Sequence, residues 1–156
     1  MTESKYIWMD GEFTPWNEAK VHVLSHTLHY GNGAIEGTKA YKTVDGRCAI
    51  FKLNEHTQRL LNSSKMTLMN VPFSLEELNK AQVELLQKNE LTNGAYIRPL
   101  VYLGYGVMGL YHKDAPVKVS ISAWEWGAYL GEEGLKKGVR VKISSFTRTP
   151  NTSGMG

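Results

Sequence analysis

Asp10-Gly11 stands between Lys5-Tyr6-Ile7-Trp8-Met9 and Glu12-Phe13-Thr14, and Asp45-Gly46 stands between Lys39–Val44 and Arg47–Leu53. Asp-Gly between strand-like runs is the signal of a tight hairpin, because primed turns need positive φ at both central residues. Two such turns commit the first third of the chain to an antiparallel sheet. Three later stretches alternate with period two, so each has one face to pack and one to present. They are 96–103, 117–124 and 139–143. Pro99 within the first of them predicts an edge strand or a bulge.

The middle of the chain has helical spacing. Asn54 is a candidate cap for a helix over Glu55–Met69, with Leu60, Leu61 and Leu68 as its apolar residues. Ser74 with Glu77 three residues on reads as a capping box, and Phe73 with Leu78 as a hydrophobic staple. Leu78, Ala81, Leu85 and Leu86 then form one buried helical face. Strands on both sides of two helices predict an α+β fold, an antiparallel sheet with two packed helices.

At 156 residues the chain has room for one sizeable core. Its lysines and arginines are scattered and the net charge is only +3, which argues against a nucleic-acid surface. No apolar run approaches the ~20 residues of a membrane span, and Met1–Lys5 lacks a signal-peptide core. A single Cys48 excludes an internal disulfide and suits a reducing, cytoplasmic setting.

Four groups of residues invite a chemical reading. His22, His26 and His29 have spacings that a helix would gather on one face, as a zinc site needs, although Val21, Val23 and Leu24 look strand-like. Arg59 lies on the first helix, with forked donors suited to a phosphate. Tyr96 and Arg98 are two apart on a strand and share a face, where a phenol and a guanidinium make a carboxylate receptor. Gly31, Gly33 and Gly37 punctuate a stretch that holds the isolated carboxylate Glu36, and match neither the dinucleotide nor the Walker pattern.

Read as strings, these segments resemble one family. Ser25-His26-Thr27-Leu28-His29-Tyr30-Gly31, Ile35-Glu36-Gly37-Thr38-Lys39-Ala40-Tyr41, Glu55-His56-Thr57-Gln58-Arg59-Leu60, Tyr96-Ile97-Arg98-Pro99-Leu100, Tyr105-Gly106-Val107-Met108-Gly109-Leu110 and Trp126-Gly127-Ala128-Tyr129 are similar to segments of branched-chain amino-acid aminotransferases. These are fold-type-IV enzymes that use pyridoxal 5′-phosphate (PLP), and the resemblance covers essentially the whole chain.

The resemblance implies the small N-terminal domain of such an enzyme over 1–148, with 149–156 starting an interdomain linker. It implies transamination of leucine, isoleucine or valine with 2-oxoglutarate by a ping-pong mechanism. Arg59 is then the cofactor-phosphate ligand. Tyr30, Ile35, Gly37, Lys39, Tyr96, Arg98, Met108, Gly109, Leu110, Trp126 and Tyr129 are the substrate residues. The loop 105–110 reaches a neighbouring subunit in a homodimer or higher homo-oligomer. Ile35 departs from the aromatic common in relatives. None of the thirteen lysines matches the Schiff-base position, so the PLP domain is expected to be missing and this chain alone to be inactive. The other readings are a non-catalytic binding domain, a histidine metal site and, within the fold, a D-amino-acid aminotransferase or aminodeoxychorismate lyase. The Tyr96–Pro99 string argues against the last two.

Overall fold

The computed structural model describes residues 2–126 and 131–147. They fall into two units, divided after Trp126. The first carries a seven-stranded, wholly antiparallel sheet: β1 (Tyr6–Met9), β2 (Glu12–Pro15), β3 (Gly33–Ile35), β4 (Thr38–Lys42), β5 (Cys48–Ile50), β6 (Gly94–Leu103) and β7 (Val117–Trp124). The order is β2-β1-β7-β6-β4-β5, and β3 also pairs with β6. A short helix α1 (His26–Tyr30) precedes β3, and α2 (Leu53–Met66) and α3 (Leu75–Lys88) lie between β5 and β6.

The first hairpin forms as its sequence dictates, with positive φ at Asp10 and Gly11. The second differs. Only Gly46 turns left-handed, and Thr43 N–H donates to Arg47 O at 2.8 Å, so the loop is the longer type I turn with a glycine bulge. Asn54 does not cap α2. The helix begins two residues earlier than expected, at Leu53 after a left-handed Lys52, and Asn54 Oδ1 instead accepts from Asn79 Nδ2 at 2.6 Å. Leu68 lies past the helix end, 80% exposed and at positive φ. The capping box is present in both directions: Glu77 N–H donates to Ser74 Oγ, and Ser74 N–H to the Glu77 carboxylate. Phe73 packs edge-on to Trp8, ring centroids 5.0 Å apart.

The core lies between one sheet face and the two longer helices. Ile97, Val101, Val119, Ile121, Ala123 and Trp8 meet Leu60 of α2 and Leu78, Ala81, Leu85 and Leu86 of α3, all buried. Burying one leucine contributes about 1.5–3 kcal/mol, so this layer dominates the first unit. A polar seam fixes how the helices sit: Gln82 Nε2 donates to Thr57 Oγ1, which donates to Asn79 Oδ1.

Pro99 is not at an edge. It pairs with Ile121 in the middle of the sheet. Its carbonyl accepts from Glu36 N–H at 3.0 Å, so its ring nitrogen faces the same side, away from β7. On that side β3 and β4 run along β6 in one register, which sets Glu36 opposite Pro99; the bond from Glu36 N–H to the Pro99 carbonyl is kept, and only the return bond that a proline cannot donate is missing.

The second unit contains α4 (Gly131–Lys137), which a Lys137–Glu133 ion pair braces one turn apart. The strand expected over 139–143 does not form. Its alternation supplies two faces, but a strand also needs a backbone partner, and 139–143 enters none of the described pairings. Val141 and Ile143 are 85% and 92% exposed.

Candidate active site

The sheet face away from the helices gathers most of the expected substrate residues. Tyr96, Arg98 and Leu100 project there from β6, because Ile97, Pro99 and Val101 occupy the helix face. Register places Lys39 opposite Tyr96 and Ile35 opposite Leu100, on the same side. Arg98 Nη2 donates to Tyr96 Oη at 2.8 Å and Nε at 3.3 Å, with the guanidinium 5.1 Å from the ring centre. The ring of Trp126 stands edge-on to Tyr96 at 4.7 Å, and Trp124 lies 5.2 Å away. A phenol and a guanidinium, the groups of a carboxylate receptor, thus sit together against an apolar aromatic wall. Tyr129 lies outside the described residues.

Gly37 fits this arrangement for a steric reason. A Cβ at 37 would lie 2.2 Å from Tyr96 Oη and 3.0 Å from Cζ. The hydroxyl therefore occupies the space a side chain would fill.

Arg59 stands apart from that face, on α2. Its Nε and Nη2 fork onto the Glu36 carboxylate, the second at 2.7 Å. His56 Nδ1, one turn earlier, donates to the same carboxylate at 2.9 Å. Glu36 is buried, whereas the Arg59 side chain is 66% exposed, and its Nη1 takes no part in the fork. Burial alone would raise the Glu36 carboxyl. Hydrogen bonds from Arg59 and His56 and the charge of Arg59 outweigh it and hold the group below its ordinary value of 4.5. The sequence reading singled out Glu36 as an isolated acid but missed this partnership. The signal was there: a carboxylate beside Ile35, and a helix with a histidine and an arginine three residues apart.

A depressed carboxyl stabilises the fold fully above its unfolded value and loses that contribution as pH falls through the folded one. Glu36→Gln should therefore unfold more readily than the parent at neutral pH, and the gap should close as pH drops through and below the carboxylate range. Urea midpoints taken across pH check this; a gap independent of pH would mean that charge pairing is not what Glu36 contributes.

Tyr30, Met108, Gly109 and Leu110 form a second group. Gly109 N–H donates to Tyr30 Oη at 3.0 Å, and Met108 and Leu110 are exposed. The loop follows the end of β6, and Leu103 lies about 16 Å beyond Arg98 along that strand. Among the described contacts, none joins this group to the chain's own Tyr96–Arg98 pair.

The histidines do not converge. His22 Nδ1 accepts from Leu24 N–H, His29 Nε2 bonds Val23 O and His26 Nε2 bonds Gly109 O. Residues 21–25 are a turn rather than a strand, and α1 begins only at His26, so no single helix face carries all three. Among the described residues no group of three or more histidine, cysteine, aspartate or glutamate side chains could hold a metal. No described helix is long and apolar enough to cross a membrane. An apolar hollow of about 430 Å³ lies under β5, lined by Ile50, Leu53, Val83 and Leu86, and shares no residue with either group.

The chain is similar to known aminotransferases over most of its length. A branched-chain-amino-acid aminotransferase of Pseudomonas aeruginosa is 49% identical over 142 residues, covering 91% of this chain and 46% of the relative. The solved Escherichia coli branched-chain amino acid aminotransferase superposes with a TM-score of 0.90 at 42% identity, over 96% of this chain and 49% of that one. A T.th. branched-chain amino acid aminotransferase, solved with pyridoxamine 5′-phosphate, superposes with a TM-score of 0.77 at 46% identity, over 85% and 43%. The chain spans about half the length of the relatives it matches. The family model for amino-transferase class IV matches residues 33–154, which take in Glu36, Arg59, the Tyr96–Arg98 pair and the Met108–Leu110 loop. With its sheet, its open aromatic face and its arginines in these positions, the chain belongs to the class IV amino-transferase family.

Proposed function

We propose that this chain is the substrate-facing half of a transaminase that exchanges an amino group between leucine, isoleucine or valine and 2-oxoglutarate. The observation that carries the reading is the Tyr96–Arg98 pair set against Trp126 on the open sheet face. Acidic and aliphatic substrates must occupy one site in turn, and this face offers both a charged partner and an apolar wall. Residues 1–148 are the small domain in this reading.

The cofactor of the reading is PLP, whose carbonyl would exchange with the substrate amine and whose ring would act as electron sink. Arg59 fits its phosphate: Glu36 engages Nε and Nη2 and orients the guanidinium, and Nη1 remains for an anionic oxygen. Tyr96 and Arg98 bind and orient the substrate carboxylates, and Trp126 with Ile35 excludes water from the aliphatic chain. Gly37 and Lys39 border that pocket, and the reading assigns Tyr129 to it as well.

A second copy of the chain supplies Tyr30, Met108, Gly109 and Leu110. Two observations support this. One is the offset of about 16 Å along β6. The other is the set of exposed apolar residues beside the loop, of which Val23 is 71%, Leu28 61% and Tyr111 73% exposed. The unpaired thiol of Cys48 supports a cytoplasmic setting.

The test is an assay with PLP of the chain joined to a lysine-bearing half, beside the chain alone. The joined protein should transaminate leucine with 2-oxoglutarate, and the chain alone should not. Turnover of D-amino acids instead, or no turnover of any branched-chain amino acid, defeats the reading.

A further inference from the structure

Gly109 has both backbone polar groups held by side chains of α1. Its N–H donates to Tyr30 Oη at 3.0 Å, and its carbonyl accepts from His26 Nε2 at 2.8 Å. His26 and Tyr30 are four apart on the helix, so they stack on one face with ring centres 4.4 Å apart. Packing does not hold the loop at this point. Gly109 has φ +107, and no atom lies within 4 Å of where its Cβ would be. The two hydrogen bonds hold it instead.

His26 is an odd choice for packing. It is 1% exposed, and its Nδ1 has no partner. Donation to a carbonyl requires the hydrogen on Nε2, which leaves Nδ1 a bare buried acceptor. An apolar ring would avoid that desolvation cost. What histidine adds is one N–H that reaches Gly109.

We propose that His26 and Tyr30 are positioning residues that preset Met108 and Leu110 as a fixed apolar edge for the aliphatic side chain of a substrate. This rests on the transaminase reading above, in which that substrate lies on a second copy's sheet face. Without the clamp the loop still exists, but its two exposed side chains no longer hold one place.

The clamp is tested first by amide exchange at Gly109, read by NMR in the whole chain. Tyr30→Phe keeps the ring and removes the acceptor, so Gly109 should exchange about tenfold faster or more. Equal exchange in the two proteins overturns the clamp. The role is tested by half-reaction kinetics in the chain joined to its lysine-bearing half. His26→Phe should keep the melting temperature and raise KM for leucine about tenfold, with KM for glutamate within about twofold. His26→Gln, which restores an N–H at similar reach, should recover most of the loss.

Equal rises for leucine and glutamate, or a loss that follows melting temperature alone, overturn the positioning role. Should His26→Phe fail to fold, His26→Leu carries the same kinetic comparison. Absence of any transamination in the unmutated joined protein removes the transaminase reading and this role with it, while the exchange result still decides the clamp.

Discussion

Arg98→Met should separate the two substrate classes proposed for this site. The side chain lies along the Tyr96 ring with Nε and Nη2 turned to the phenol oxygen, so its remaining edge faces the open side of the sheet. Glutamate and 2-oxoglutarate bring a second carboxylate that leucine lacks. Once desolvated and unpaired, that carboxylate costs roughly 1–3 kcal/mol or more. In the chain joined to its lysine-bearing half, kcat/KM for glutamate and 2-oxoglutarate should fall about ten- to a hundredfold, and the leucine half-reaction much less. Single-turnover measurement of each half-reaction gives the answer. Equal losses in both would assign Arg98 to a contact that all substrates share, and the dual-specificity argument would fail.

Gly37→Ala should instead lower both half-reactions together. The added Cβ meets Tyr96 Oη at 2.2 Å, and the backbone at 37 is not left-handed, so the collision is with the tyrosine alone. The ring must swing, which breaks its hydrogen bonds with Arg98 and its edge contact with Trp126. Losing a charge-assisted hydrogen bond and the aromatic contact together corresponds to about ten- to a hundredfold in kcat/KM for leucine and glutamate alike. Tyr96→Phe removes the offending oxygen and leaves the Cζ contact at 3.0 Å. The double variant should therefore be better than the product of the two single losses. Strict additivity would show that Gly37 acts through something other than the Tyr96 hydroxyl.

Local signals translated well into structure. Ser74 and Glu77 cap α3 through atoms three residues apart, and Leu78, Ala81, Leu85 and Leu86 are buried as their spacing requires. The shared face of Tyr96 and Arg98 follows from strand period alone. Readings failed where the deciding partner is far along the chain. Asn54 had the right chemistry for a cap, but Asn79, twenty-five residues on, takes its side chain. Pro99 had the signature of an edge or a bulge, and the distant Glu36, which bonds its carbonyl where β3 gives way to β4, lets it sit centrally at the loss of one ladder bond. Residues 139–143 alternate as a strand does, yet alternation says nothing about where a backbone partner is. The fork of Arg59 onto Glu36 spans twenty-three residues and a change from sheet to helix, beyond the reach of spacing rules.

β3 and β4 keep one register along β6, so the segment that carries them works as a ruler. It sets Ile35, Gly37 and Lys39 at two-residue intervals opposite Leu100, Arg98 and Tyr96, and a slip of one residue would turn all three to the helix side. Glu36 is pinned inside that segment, its N–H on the Pro99 carbonyl and its carboxylate under the Arg59 fork. An ion pair on one side of the sheet thereby fixes the spacing of the side chains on the other.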